Sequence, residues 1–369
     1  MTPSLDIVFI GLSLSSSWGN GHATTFRSLI RGLAELGHRV HFLEREVPWY
    51  SAHRDLADPD FCRLAFYHSV SDLRIRHGGL LRNADAIVIG SFVPQGVEVI
   101  DDVARLARGA LCFYDIDTPV TLAKLEAGDE AYLAARQIPH FDVYFSFTGG
   151  PTILHLQEAH GARKAHALYC SVDAVRYAPT GETPVWQLGY LGTYSADRQP
   201  ALETLMLEVA RRMPDRRFVV AGPQYPQSLH WPRNVDRIEH LAPAEHASFY
   251  CRQRFTLNLT RRDMIAAGYS PSVRLFEAAA CGTPLISDRW PGLTELFPDG
   301  EAICIADNCD DVCAMLATGE SRRRGMAEQA RQRVISSHTG TARARELIAC
   351  LPLPSRSARH PALAAVSSP

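Results

Sequence analysis

The chain has 369 residues, 46% of them apolar and 21% charged, and a formal net charge of −2 at neutral pH. That length suits two ordinary domains, each with a core of its own. The balanced charge leaves no basic footprint for nucleic acid, and no apolar run approaches the roughly 18 residues that would read as a transmembrane segment.

Asp6–Gly11 (DIVFIG) is a short apolar run that predicts a buried parallel strand. A serine-rich loop follows, ending in Gly19, Asn20, Gly21 and His22. Phe26, Leu29, Ile30 and Leu33 then recur at helical spacing until Gly37, and Val40–Leu43 opens a second strand, which completes one βαβ unit. The glycine loop is not the GxGxxG of dinucleotide sites. At a helix start it can still offer N–H groups to a phosphate or oxyanion. His22 is accordingly a base, a phosphate neighbour, or a residue that only caps and packs.

Residues 44–60 form a polar excursion carrying Trp49 and Tyr50, read as a lid or as a plain surface loop. Strands are expected at Ala86–Gly90 and Ala110–Tyr114, the second running into Asp115–Ile116–Asp117–Thr118–Pro119. The two carboxylates, Asp115 and Asp117, are not assumed to form a pair. Asp117 is the candidate to face a cleft, and it also reads as a helix N-cap ahead of a proline. Phe141–Phe147 predicts a further strand, after which Thr148, Gly149 and Gly150 make a second glycine loop, either a backbone cradle or a tight turn.

Thr180–Pro184 is a polar linker that divides residues 1–180 from 181–352. The second half repeats the alternation, with strands expected at Gln187–Leu191, Phe218–Ala221 and Phe255–Leu259 and an amphipathic helix beginning near Leu202. Arg198 follows the small-residue loop Gly192–Ser195. Gly268–Phe297 reads as loop, helix, strand and loop: Ser270 or Ser272 as N-cap, Pro271 in the first turn, Gly282 closing the helix and Leu285–Ile286 starting the strand. Glu277 and Glu295 both border a strand end, where open α/β sheets place their ligands. From about residue 353 the chain is rich in Pro, Ser and Ala, and disorder is expected. The nine cysteines are irregularly spaced and the N-terminus shows no secretion signal, which points to reduced thiols in the cytoplasm. Cys304, Cys309 and Cys313 lack the spacing of a zinc site, so no metal is expected.

The run GYSPSVRLFEAAACGTPLISD, with Trp290–Pro291–Gly292–Leu293 after it, resembles the nucleotide-sugar-binding region of glycosyltransferases of the two-domain GT-B class. It is especially similar to the CgeB-like, spore-maturation branch. Asp173, Tyr177 and Pro179 are similar to the crossover segment of the same class. The resemblance implies an α/β fold of two facing Rossmann-like domains, with the acceptor side in the first, the donor in the second, and a terminal helix packing back on the first.

It also implies roles. Glu277 would hold the donor ribose, since a carboxylate accepts two hydrogen bonds from a vicinal diol. Related families commonly carry a second Glu where Tyr269 stands, so Tyr269 is a donor-side position with altered chemistry, beside Ser272 and Glu295. Arg198 or Arg274 would meet the diphosphate, and His240, Asn258 and Thr260 would border the donor. His22, Asp117 and both glycine loops would face the cleft. His22 or Asp117 would take the acceptor proton in an inverting reaction, and His22 would lie beside the sugar in a retaining one. The expected activity is metal-independent glycosyl transfer from a nucleotide diphosphate sugar, a co-substrate rather than a cofactor, to an acceptor that the sequence does not name. The rivals are a nucleotide-sugar epimerase of the same fold and a non-catalytic binding module.

Overall fold

The structure is a computed structural model describing residues 3–18 and 21–352. Gly19 and Asn20 of the first glycine loop, and the tail from residue 353, lie outside the described residues.

Two parallel sheets organise the chain. The first has seven strands: β1 (Asp6–Gly11), β2 (Arg39–Arg45), β3 (Arg63–Tyr67), β4 (Ala86–Gly90), β5 (Ala110–Asp115), β6 (Val143–Ser146) and β7 (Ala165–Ala167). Their spatial order is β3-β2-β1-β4-β5-β6-β7. The second has six: β8 (Leu188–Leu191), β9 (Phe218–Ala221), β10 (Val235–Ile238), β11 (Thr256–Asn258), β12 (Leu285–Ser287) and β13 (Cys304–Ile305), in the order β10-β9-β8-β11-β12-β13.

The central strands are buried on both faces, which is why β1, β4 and β9 read as unbroken apolar runs rather than alternating ones. Each sheet carries an apolar cluster on either side: Phe9, Phe26, Phe42 and Phe145 on one face of the first, and Val8, Ile89, Phe113 and Tyr144 on the other. Strands β4 and β9 form over the residues expected. The edge strands β3 and β10 are only partly buried, and β3 was not anticipated.

Helices close the connections. His22–Glu35 ends at Leu36, and Gly37 at φ +85° returns its N–H to Ala34 while His38 reaches Leu33. Val273–Ala280 starts from Ser272, whose hydroxyl accepts the Arg274 N–H. Pro271 therefore precedes the cap and is not in the first turn, because extended Ser272 occupies the half-helical position. At the other end Gly282 (φ +73°) and Thr283 donate back to Ala279 and Ala278, closing the last carbonyls.

The chain finally returns to its beginning. Helix Gly340–Cys350 lies on His22–Glu35, and Ala344, Leu347 and Cys350 join the first domain's core. The two helices touch at glycines: a Cβ on Gly32 would lie 2.3 Å from the Gly340 backbone, and one on Gly340 would lie 2.0 Å from the Ser28 carbonyl oxygen.

Candidate functional site

In each sheet the strand order reverses at one point, between β1 and β4 in the first and between β8 and β11 in the second. Crevices open there at the C-terminal strand ends. The two crevices face each other, and the loops after β1 and β5 meet those after β8 and β11 around a cavity of about 330 Å³. His22, Thr25 and Asp117 line it from the first domain. Arg198, Thr260, Arg261 and Ser272 line it from the second. Larger grooves lie at the N-terminal edge of the first sheet, around Asp6 and Arg39, and beside the linker. Neither is at a strand C-terminus, where open α/β sheets place their ligands.

The DIDTP segment separates its carboxylates. Asp115 is fully buried and accepts hydrogen bonds from Tyr144 Oη and Thr121 Oγ1, both at 2.7 Å. Burial pushes its carboxyl up to about 6 even against those donors. Asp117 faces the cavity. It occupies the N-cap of helix Thr118–Glu126 but makes no side-chain capping bond. Its Oδ2 lies 2.8 Å from His22 Nε2 instead. A carboxylate oxygen facing a ring nitrogen accepts, so this contact puts a hydrogen on Nε2. Nδ1 is buried and meets no partner among the described residues.

Opposite this pair lies positive charge. Arg198 donates to the Thr193 carbonyl, while its Nε is buried and meets no partner among the described residues. Burial, with Arg274 and Arg261 nearby, pulls the Arg198 guanidinium below its ordinary range. A cation that is desolvated beside other cations is stabilised by an anion placed among them. Arg261 was not singled out in the sequence, although the Arg–Arg pair directly after β11 carries the same signal as Arg198 after β8. Arg274 is committed elsewhere: its guanidinium donates to the Leu191 carbonyl and to Asn258 Oδ1, and lies over the Tyr190 ring. Asn258 is thereby a support for Arg274. Thr260 is held through its N–H and hydroxyl by Asp288. His240 is exposed.

Glu277 opens onto a neighbouring cavity of about 440 Å³. The two cavities share two helices: His22–Glu35 gives His22 and Thr25 to the first and Thr24 and Ser28 to the second, while Ser272 and Val273 line the first and Glu277 the second. Glu277 is 5% exposed and accepts a hydrogen bond of 3.0 Å from Tyr250 Oη. Burial first, and the Glu277 charge second, push the Tyr250 and Tyr177 phenols up, so both stay protonated beside the carboxylate. Arg27, Arg31 and Arg176 line the same space.

The second glycine loop is not an open cradle. Gly149 gives its N–H to the Tyr269 carbonyl at 2.9 Å, and Thr148 and Ser270 share a hydroxyl bond of 2.6 Å. The Tyr269 ring is held between Gly150 and Gly292, where an added Cβ would come within 2.3 Å and 2.4 Å of it. Its hydroxyl donates to Glu295 at 2.7 Å. Tyr269 and Glu295 thus satisfy each other, and neither lines the two cavities.

Residues 198–349 match the model of a family described as glycosyl transferase-like. No curated protein matches the sequence. Among solved structures, the chain is similar to sucrose-phosphate synthase from Thermosynechococcus elongatus, with 13% identity, a TM-score of 0.68, and coverage of 94% of this chain and 98% of that one. It is similar to HepE of Anabaena in complex with UDP and glucose, with 11% identity, a TM-score of 0.66 and coverage of 94% and 98%. It is also similar to an alpha-glucosyltransferase in complex with UDP-glucose and DNA containing an abasic site, with 13% identity, a TM-score of 0.65 and coverage of 94% and 99%. At those identities the likeness is one of fold: two facing Rossmann-like domains in the GT-B arrangement. Among the described residues no helix is long and apolar enough to cross a membrane.

Proposed function

We propose that the protein transfers a glycosyl group from a nucleoside diphosphate sugar to a hydroxyl acceptor. The observation that carries this reading is the convergence, around one cavity, of His22–Asp117 from one domain and Arg198 with Arg261 from the other. The donor diphosphate lies among the arginines and the N-terminus of helix Val273–Ala280, and its ribose lies against Glu277. The C1–oxygen bond to the diphosphate breaks, the arginines hold the charge that develops on the leaving group, and a hydroxyl oxygen bonds to C1. This needs no metal, because the positive charge comes from side chains.

Asp117, which lines the cavity and is held by His22 Nε2, takes the acceptor's proton in an inverting reaction. In a retaining one the His22–Asp117 pair lies beside the transferred sugar. UDP-sugars are the first donors to try, since HepE and the alpha-glucosyltransferase are described with UDP-glucose. The nine cysteines are all free thiols, which supports a reducing, cytoplasmic setting. A nearer relation to the CgeB-like branch rests on the motif at residues 268–293.

The test is UDP release from UDP-glucose and other UDP-sugars, with product analysis by NMR. His22→Ala and Arg198→Ala should each lower the rate by about 10²-fold or more. Release that is unchanged in both variants contradicts the reading, and an epimerised donor as the product favours the rival activity.

A further inference from the structure

Two of the five tryptophans stand at the surface, and they touch. Trp18 is 44% exposed and Trp49 is 58% exposed, with ring centroids 4.6 Å apart in an edge-to-face arrangement. His53 stacks on Trp18 at 4.1 Å with the planes 11° apart. An indole left in water needs a reason, because it carries a large apolar area and prefers burial or a partner.

The cluster is also rigidly mounted. Buried Glu44 accepts the N–H groups of Leu14 and Ser15 at 2.7 and 2.8 Å and the Ser15 hydroxyl at 2.7 Å, which fixes the loop leading to Trp18. Ser16 Oγ donates to the His53 carbonyl, and Asp55 holds Ser17 through both its N–H and its hydroxyl. The loop after β1 and the segment after β2 are thereby tied into one platform at the C-terminal edge of the first sheet. A surface held in place by so many bonds is preorganised for a ligand. Ser17 borders the Glu277 cavity, and His22 at the end of the same loop lines the other, so the platform stands at the rim of the cleft.

We infer that Trp18 and Trp49, with His53 behind them, form a stacking subsite for a pyranose ring, and that the acceptor is therefore a carbohydrate. This rests on the transferase reading above. A pyranose presents a face of C–H groups that an indole covers, and hydroxyls at its edge that carboxylates and serines bind. A nucleic acid would stack its bases equally well, but charge opposes it. Residues 44–60 hold five carboxylates (Glu44, Glu46, Asp55, Asp58, Asp60) against two arginines (Arg45, Arg54), and with Arg27 and Arg31 paired to Asp55 and Asp60 the platform has no excess of positive charge for phosphodiesters.

Saturation-transfer NMR on the full chain tests this with maltose, cellobiose, lactose and N,N′-diacetylchitobiose, and with oligo(dT) as the competing chemistry. At least one disaccharide should receive saturation, strongest on the C–H protons of one ring face. Its Kd should rise at least tenfold in Trp18→Ala and in Trp49→Ala, and recover in Trp18→Phe. No transfer to any disaccharide, transfer unaffected by either substitution, or transfer to oligo(dT) alone overturns the inference. Stabilisation of the wild-type protein by UDP, measured alongside, reports on the donor site separately. UDP binding without saccharide binding removes the subsite and leaves the donor reading, and the converse removes the donor reading alone.

Discussion

Asp117 occupies two places at once, a helix N-cap and the wall of the cleft. It stands at a helix N-cap, as its neighbours Thr118 and Pro119 suggest, yet its carboxylate is spent on His22, 95 positions away. Both residues were legible as candidates from their places after strands. Their pairing was not, because nothing in the sequence reports that the loops after β1 and β5 meet. The same holds for Glu277, legible in its motif, and for its partner Tyr250, which was not. If Asp117 takes the acceptor's proton, Asp117→Asn should lower turnover by about 10²-fold while stability stays within about 0.5 kcal/mol, since no capping bond is lost. Steady-state rates and urea unfolding measured together check this. A large loss of stability with turnover intact would make Asp117 a structural residue.

At the scale of elements, the buried strands were readable and the edges less so. β1, β4 and β9 are covered on both faces and show continuous apolar runs. β3 (RLAFY) and β10 (VDRI) are half exposed, and their composition matches a surface loop as well as a strand. The helix beginning at Gln199 runs to Arg212 but passes through a π turn at Glu203–Leu207, which a simple 3.6-residue reading passes over. The Thr148–Gly150 loop was open to two readings, and the structure makes it a contact between domains. The glycines there leave room for Tyr269, whose own φ of +46° is unusual for a residue with a side chain. Gly150→Ala should therefore destabilise the protein by more than about 1 kcal/mol. A double-mutant cycle with Tyr269→Ala should recover the part of that loss due to the clash with the ring and leave the part set by the φ of +55° at Gly150. Strictly additive effects in thermal unfolding would show that the ring does not fill the space.

On the scale of the whole molecule, the first domain is completed by the end of the chain. His166 of β7 and Glu346 of the returning helix approach to 2.9 Å. Hydrogen bonds to Cys350 and Glu346 raise the His166 imidazole to about 9, above its ordinary value of 6.5. A folded-state value above the unfolded one means that the stabilisation is fully present below about pH 6.5 and is lost as pH rises through about 9. The wild-type melting temperature should fall across that window by more than that of Glu346→Gln. Equal slopes would mean that the contact does not help to dock the helix. That return was expected only through the family resemblance. The Gly32–Gly340 contact that permits it joins residues from opposite ends of the chain, and no local pattern announces it.

On the proposed transferase reading, the second domain holds a nucleoside diphosphate through Glu277. The most direct measurement is thermal stabilisation by UDP, GDP, TDP and CMP, taken on the wild-type protein and on Glu277→Ala. At a hundred times its Kd, a ligand that binds only the folded state adds about 2.7 kcal/mol of stability. One diphosphate should shift the wild type by that order and the variant far less. No shift with any nucleotide, or the same shift in both proteins, would contradict the placement of the donor.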